Sequence, residues 1–222
     1  AVGHDAQRAL TTGSYNNALG FSAQYALTTG GYNNAVGTNA QYALTTGSSN
    51  NAVGHDAQRA LTTGSYNNAV GRDAQRSLTR GSSNNAMGRD AQDKPRGNSA
   101  WATTTASRQT SVGQESGQGS STPSDDIVTV GYRAIADGAK AMALGSMADA
   151  RHAGSVALGS DTITTALAQV HVGPRHLALG AVTAPDAPAA GSGARLYSDV
   201  VGGKTRLVVR FAGKTVVLAT ED

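Results

Sequence analysis

A strict repeat of 17 residues constrains the fold of this chain more than any other feature. Ala, Gly and Gln recur at that spacing between Ala1 and Gln92, in the unit N-N-A-[VLM]-G-x-[DSN]-A-Q-x-[AS]-L-T-[TR]-G-x-x. A helical repeat usually needs ~30 residues or more for its two helices. Gly and Asn, moreover, favour turns over helices. The repeat therefore predicts a parallel β-roll, in which each coil consists of two short strands joined by turns.

Stacked coils place equivalent residues above one another, at a rise of ~4.8 Å per coil. We predict positive φ at the turns around Gly3 and Gly13 and their equivalents. A single coil buries too little apolar surface to offset the entropy of ordering its backbone. Side-by-side packing of several chains, as a trimer or a similar rod, is therefore expected. Two apolar ladders are predicted to face inward, namely Val2, Leu19, Val36, Val53, Val70 and Met87, and Leu10, Leu27, Leu44, Leu61 and Leu78.

The motif NNAVG…ALTTGSYNNAVG resembles the repeats of bacteriophage tail fibres and of the heads of YadA-like trimeric autotransporter adhesins. The resemblance covers Ala1–Gln92 (domain 1–92). It implies a left-handed parallel β-roll wound as a homotrimer. The handedness and the number of chains follow from the resemblance and not from the periodicity.

The pattern breaks in segment 93–126, which is rich in Ser, Gly, Gln and Thr and poor in apolar residues. Such a composition is typical of an extended or mobile connector. Trp101 is the single Trp of the chain. We expect it to cap the end of the roll, with stacking on a ligand as the alternative.

A second period, of 14 residues, follows in segment 127–180, where VTVG, MALG and VALG end at Gly131, Gly145 and Gly159. This block resembles the YadA-like head more closely than the first block does. The motif LALG ends at Gly180, 21 residues after Gly159. We therefore predict an insertion, which contains TTALAQVHVGPRH.

Segment 181–222 opens with a hinge rich in Pro, Gly and Ala and continues as three β-rich runs, RLYSDVV, KTRLVVRF and TVVLAT. Turn residues separate the runs, which predicts a small antiparallel β meander. The meander resembles the terminal strands of prophage tail-fibre proteins, and we expect it to form a tip.

Several classes of function lack their usual residues. The chain has no Cys, which excludes thiolate metal sites, disulfides and Cys nucleophiles. No apolar run approaches ~18 residues, so no membrane span is expected, and no basic block indicates nucleic-acid binding. We find no Ser/His/Asp set or paired carboxylates in a context that would form a cleft. We expect no enzyme, no cofactor and no metal.

Three weaker patterns have structural interpretations that we prefer. His–Asp and Arg–Asp pairs such as His55–Asp56 share their positions with Phe21–Ser22, so they are interpreted as exposed turns. His171 and His176 could ring the axis of a trimer and hold a metal, but a turn around Pro174 is the simpler expectation. The repeated Thr pairs suit strands, with ice binding as the alternative.

Tyrosines occupy two ladder positions, and two interpretations of them stay open. They would either cover a seam between chains or, if exposed, stack on sugar rings. Arg occupies the position of Tyr25 in other coils, which indicates an outward face and suggests contact with anionic polysaccharide. The first ladder holds Tyr25 and Tyr42 with Arg8, Arg59 and Arg76, and the second holds Tyr15, Tyr32 and Tyr66.

The resemblance implies a phage tail fibre that attaches to the bacterial host, located in the virion. Its partners would be two further copies of itself, a cell-surface receptor (polysaccharide, pilus or outer-membrane protein) and other tail or baseplate proteins bound through a missing N-terminal part. The alternative is an adhesin head on a bacterial surface that grips host tissue or matrix. Such a head would continue into a stalk, and the absence of heptads before Asp222 favours the fibre. In the tip, the candidate receptor-binding residues are Tyr197, Arg206, Arg210 and Lys214, with burial or pairing inside the tip as their alternative role.

Overall fold

The structure, a computed structural model, describes residues 1–93, 105–119, 124–168, 170–172, 195–201, 204–211 and 214–220. These residues form strands, turns and bends, and no helix occurs among them. They belong to two compact units, Ala1–Arg175 and His176–Asp222. Trp101, His176 and Gly180, about which the sequence made predictions, lie outside the described residues.

The first unit is a parallel β-solenoid, as the repeat predicted. Its strands are Asn17–Leu19 (β1), Asn34–Val36 (β2), Asn51–Val53 (β3), Asn68–Val70 (β4), Asn85–Met87 (β5), Thr110–Val112 (β6), Val128–Val130 (β7), Ile135–Ala136 (β8), Met142–Leu144 (β9), Asp149–Ala150 (β10), Val156–Leu158 (β11) and Val170–Val172 (β12). Ten of these strands stack in one parallel sheet, and β8 and β10 form a second parallel pair.

Each 17-residue coil contains one three-residue strand, so the prediction of two strands per coil is wrong there. Between β2 and β3 three residues other than Gly adopt left-handed backbone conformations, namely Asn39, Gln41 and Ser49 with φ of 55°, 52° and 57°. A residue with such a φ cannot continue a strand. The 14-residue coils have fewer such residues and add the short strands β8 and β10.

The two repeated glycines are required for different reasons. Gly37 has a φ of 134°, which fits the predicted corner. Gly47 is not in the left-handed region, so the prediction of positive φ is wrong there, although Gly81 at the equivalent position of a later coil has a φ of 150°. A Cβ at Gly47 would instead lie 2.2 Å from the carbonyl oxygen of Gly64 in the next coil. Gly is needed there because the coils approach each other too closely for any side chain.

The core of the 17-residue coils is built from Ala and Leu. Leu27, Leu44, Leu61 and Leu78 are fully buried, as predicted. The prediction that the Val ladder faces inward is wrong, since Val2, Leu19 and Met87 are 66%, 51% and 55% exposed. A three-residue strand turns only its central side chain inward. That residue is Ala, from Ala18 to Ala86, and the Val ladder lies beside it on the outside.

Amide side chains complete the core. Gln24, Gln41 and Gln58 are fully buried, and the Nε2 of each donates to the Oε1 of the Gln one coil further on, at 3.0–3.1 Å. The first Asn of the Asn pairs is also buried in four coils, at Asn33, Asn50, Asn67 and Asn84, and half-buried at Asn16. Asn50 donates from Nδ2 to the carbonyl oxygen of Gly64 at 2.8 Å, and its backbone N–H donates to Oδ1 of Asn33 at 3.0 Å. These ladders satisfy polar groups that a thin core would otherwise leave unpaired.

The solenoid continues through much of the predicted connector. β6 pairs with β5 and β7, so residues 105–119 continue the solenoid, and the prediction of an extended segment is wrong there. Ser111 and Thr129 take the central positions of β6 and β7, and the hydroxyl of Thr129 donates to that of Ser111 at 3.1 Å. Small polar residues replace Ala in this part of the core, which conceals the repeat in the sequence.

The 14-residue period is confirmed and extends further than predicted. β9 pairs with β7 and β11, and β12 pairs with β11 with His171 opposite Ala157. The expected insertion therefore does not interrupt the stacking before Val172, and His171 lies in a strand rather than in a turn.

The second unit contains strands Arg195–Val201 (β13), Lys204–Phe211 (β14) and Lys214–Thr220 (β15). β14 pairs antiparallel with both of its neighbours. The strand bounds agree with the three β-rich runs of the sequence, and the pairing with β15 shifts register between Leu207 and Val208.

Candidate functional site

The four residues proposed from the sequence as receptor contacts lie on the antiparallel sheet. Tyr197 is opposite Val208 and Arg206 is opposite Asp199. Lys214 is opposite Phe211. Because successive positions of a strand alternate between the two faces, positions 197, 206 and 210 belong to one face and position 214 to the other. The register thus groups three of the four positions, and their role in binding stays a prediction.

The outer face of the ten-stranded sheet carries the apolar column that the sequence placed inside. We define the apolar column as Val2, Leu19, Val36, Val53, Val70, Met87, Val112, Val130, Leu144, Leu158 and Val172. None of these residues is charged, and their exposure ranges from partial to 66%. Beside the column, Asn34, Asn51 and Asn68 form an outward amide ladder with Nδ2–Oδ1 distances of 2.7 Å. No separate sequence signal points to this ladder, since both members of each Asn pair repeat equally.

The turns that follow the strands carry charged side chains. His55, Asp56, Arg72, Asp73 and Arg76 line a surface depression of about 370 Å³. Arg76 Nε lies 3.7 Å from Asp56 Oδ2 and 3.5 Å from Asp73 Oδ1, and Arg72 Nε lies 3.2 Å from Asp73 Oδ2. The predicted turn at His55–Asp56 is confirmed, although Asp56 itself is 6% exposed and therefore buried.

This depression also contains three side chains that could together bind a metal ion. The ligand atoms of His55, Asp56 and Asp73 lie within 4.8 Å of one another. The guanidinium groups of Arg72 and Arg76, however, already neutralise the two carboxylates at ion-pair distance. A divalent ion would have to displace both, so the arrangement is best described as a network of ion pairs.

Three carboxyl groups in the part of the chain that the structure describes have shifted pKa values. A hydrogen bond of 2.6 Å from Arg133 Nε lowers the pKa of the Glu115 carboxyl. A hydrogen bond from Arg108 lowers the pKa of Asp126 in the same way. Burial raises the pKa of Asp90, and the neighbouring charge of Asp73 raises it further. These pairs link adjacent coils and do not form a cleft.

The first tyrosine ladder has little ring surface left for a ligand. The rings of Tyr25 and Tyr42 stack with centroids 5.0 Å apart. Arg8 lies 5.6 Å from the centroid of Tyr25, and Arg59 lies 6.0 Å from that of Tyr42. The ring faces therefore contact each other and the two guanidinium groups. Arg8 and Arg59 are exposed, as predicted, whereas the two tyrosines are half-buried.

The second tyrosine ladder is much more exposed. Tyr15, Tyr32 and Tyr66 are 74%, 65% and 68% exposed, and the rings of Tyr15 and Tyr32 stack with centroids 4.8 Å apart. The first Thr of the threonine pairs uses its hydroxyl within the solenoid, since Thr28 and Thr45 donate to backbone carbonyls of the next coil at 3.0 Å. The second Thr of these pairs, Thr29 and Thr46, is exposed, so the ice-binding alternative is not tested.

Comparisons with known proteins do not assign a family. The sequence matches no protein-family profile, and no curated protein is significantly similar to it. Over the described ranges, the structure has no helix whose length and hydrophobicity would let it cross a membrane.

Proposed function

We propose that this chain is a structural and receptor-binding segment of a homotrimeric fibre. The observation that carries the proposal is the apolar column on the outer sheet face. Monomeric proteins rarely expose long contiguous apolar patches, and such patches usually mark protein contacts. At ~4.8 Å per strand, the column extends over more than ~40 Å.

Further copies of this chain are the partner that fits best. The column continues from the 17-residue coils into the 14-residue coils without a charged interruption. A partner that covers the whole column would have to extend over a comparable length. Each copy presents one such column, so copies arranged around a common axis cover all of their columns with one closed interface. The number three and a left-handed winding follow from the resemblance to trimeric rolls.

Attachment to a bacterial surface would use the antiparallel sheet. Three copies of Tyr197, Arg206 and Arg210 would give avidity without tight single contacts. The fibre would belong to a phage virion, with an N-terminal part that joins other tail or baseplate proteins. Lys214 remains a candidate contact on the opposite face of that sheet.

An adhesin head is the second candidate, and one observation favours it. The 14-residue coils, which resemble adhesin heads most closely, continue to Val172 and share one sheet with the 17-residue coils. Adhesin heads bind host tissue or matrix through the roll itself, so this alternative moves the contact surface from the antiparallel sheet to the solenoid.

Binding of fluorescently labelled chain to a panel of bacterial strains separates the two candidates, with animal cells and extracellular-matrix proteins alongside. The fibre proposal predicts strain-specific labelling of bacteria, lost on deletion of residues 181–222. Arg206→Ala should reduce labelling at least about tenfold, roughly the loss of one buried charged contact. Thr205→Ala, on the same strand but the other face, is the matched control. Labelling of animal cells or matrix alone would contradict the fibre and support the adhesin head.

A further inference from the structure

The exposed tyrosine ladder has a regular backbone and an irregular sequence. We define the tyrosine column as Tyr15, Tyr32, Ser49, Tyr66 and Ser83, which share a left-handed φ between 57° and 61°. The backbone N–H of Tyr32, Ser49 and Tyr66 each donates to a carbonyl of the preceding coil at 2.9–3.1 Å. The same conformation and the same anchoring at each coil place successive Cβ atoms in line along the solenoid.

Rings on adjacent coils of this column stack. The centroids of Tyr15 and Tyr32 are 4.8 Å apart and their planes differ by 15°. This distance equals the ~4.8 Å spacing of neighbouring strands. Ring stacking in the column therefore follows the stacking of the backbone.

Ser49 interrupts the stack between two tyrosines. Tyr32 and Tyr66 are two coils apart, so their rings lie about 9.6 Å apart along the solenoid. One ring placed over Ser49 would lie about 4.8 Å from each tyrosine. Tyr15 and Tyr32 stack at this same distance, so the gap has the height of one stacked ring. A pyranose chair would occupy it with the axial hydrogens of its two faces directed at the tyrosine rings.

The chemistry around the gap is neutral and polar. None of the five residues of the tyrosine column is charged. Among the described residues the Ser49 hydroxyl has no hydrogen-bond partner, whereas the hydroxyl of the neighbouring Ser48 accepts a hydrogen bond from the backbone N–H of Gly31 at 3.2 Å. A free hydroxyl between two apolar ring faces suits a ligand whose faces carry C–H groups and whose rim carries hydroxyls.

The pattern of the column also distinguishes it from an interface between chains. The apolar column is occupied by Val, Leu or Met in every coil, as a continuous contact requires. The tyrosine column holds Tyr in three coils and Ser in two over the same part of the solenoid. Large side chains that are present only in some coils indicate a local site.

We propose that Tyr32, Ser49 and Tyr66 form a slot that binds one pyranose ring of a neutral polysaccharide. The slot deepens the proposed attachment function, on which it rests, by naming a saccharide ring as ligand class. It lies on the solenoid and is separate from the contacts proposed on the antiparallel sheet.

Filling the gap with a further ring provides the test. Ser49→Tyr should fold, because Tyr already occupies the same backbone conformation at Tyr32 and Tyr66, and its ring would take the place of the ligand. Ser83→Tyr is the matched control, since it adds the same ring one coil beyond Tyr66 and leaves the slot open. Binding of maltohexaose and cellohexaose is measured by isothermal titration calorimetry on the full chain.

The proposal predicts that the unmodified chain binds at least one of the two oligosaccharides. Ser49→Tyr should weaken that binding at least tenfold, and Ser83→Tyr should leave it within twofold. Binding of neither sugar, or equal effects of the two variants, would overturn the slot. Loss of the oligomer in Tyr66→Ala would also overturn it, since the column would then be a seam between chains.

Labelling of bacteria separates this proposal from the function it deepens. If strain-specific labelling persists without any sugar binding, the slot is wrong and the attachment function stands. If sugar binds with the predicted variant pattern but no bacterial strain is labelled, the slot stands and attachment to bacteria is wrong.

Discussion

The buried glutamine ladder gives the sharpest prediction about stability. Gln58 is fully buried in the middle of the ladder. Its Oε1 accepts from Gln41 Nε2 at 3.1 Å, and its Nε2 donates to Gln75 Oε1 at 3.0 Å. Gln58→Met keeps the length and approximate volume of the side chain but removes both hydrogen bonds, together with a longer one of 3.4 Å from Nε2 to the carbonyl oxygen of Asn51.

The magnitude follows from the groups left behind. The amide of Gln41 loses an acceptor and that of Gln75 loses a donor, and both remain away from water. An orphaned buried polar group costs about 1–3 kcal/mol, so two of them destabilise the fold by about 2–6 kcal/mol. Gln7, at the first position of the ladder, makes one such bond, to Gln24 at 2.8 Å, and is half-buried. Gln7→Met should therefore cost at most about 1–3 kcal/mol.

Urea-induced unfolding, followed by circular dichroism at one fixed chain concentration, measures both variants against the unmodified chain. We expect Gln58→Met to lower the free energy of unfolding at least twice as much as Gln7→Met. A cost below about 1 kcal/mol for Gln58→Met would refute the reasoning, because it would mean that these amides are hydrated or readily replaced.

Three further predictions use the same unfolding assay. Leu61→Ala, at a fully buried position, should cost about 2–5 kcal/mol, and a cost near zero would contradict the core assignment. Gly54→Ala should cost more than about 2 kcal/mol, since φ is +141° and the new Cβ would lie 2.4 Å from a carbonyl oxygen. Gly154→Ala is the control, because its φ is +67° and the nearest atoms to the new Cβ lie at 3.8 Å, and it should cost about 1–2 kcal/mol. Equal costs for Gly54→Ala and Gly154→Ala would refute the steric argument. Glu115 has a pKa lowered below 4.5 by Arg133, so its contribution is present above that pH and lost as the pH falls through the lowered value. Glu115→Gln should therefore destabilise by less than about 1 kcal/mol at neutral pH and progressively less as the pH falls through the lowered pKa, whereas a constant effect would contradict the ion pair.

The periodicity predicted the solenoid and the inward Leu ladder because a strict repeat allows few architectures. It did not predict which face of the strand is buried. In the unit N-N-A-V, hydrophobicity alone favours an inward Val. The structure buries Ala35 instead of Val36, since the inner space between opposite walls is narrow and a small side chain fits it. The buried Gln41 is equally hidden from a hydrophobicity argument, because its burial depends on a hydrogen-bond partner in the next coil.

The same limitation explains the errors in segment 93–126 and in the predicted insertion. Ser111 and Thr129 occupy core positions, so the coils around them look like a polar linker. VHVG, which ends at Gly173, keeps the 14-residue spacing from VALG, but His171 replaces the expected Ala and conceals the match. Alignment by backbone register finds both coils, whereas alignment by apolar residues misses them.

Of the candidate sites, the sequence identified the tyrosines and the charged turns but could not assign their roles. Stacking between coils covers the rings of Tyr25 and Tyr42 and leaves a gap between Tyr32 and Tyr66. Both arrangements depend on which residues fall above one another at a fixed rise. The 17-residue period predicts which residues lie above one another, but it does not show which of these positions face outward.

The mass of the particle in solution tests the proposed fibre most directly. Sedimentation equilibrium of the unmodified chain should give three times the 22.4 kDa of a single chain. Val53→Lys places a charge in the middle of the apolar column, at an outward and only partly buried position, and should reduce the mass to that of one chain. Thr46→Lys, at an exposed position of the preceding coil outside the column, should leave the trimer intact. A single-chain mass for the unmodified protein would contradict the account.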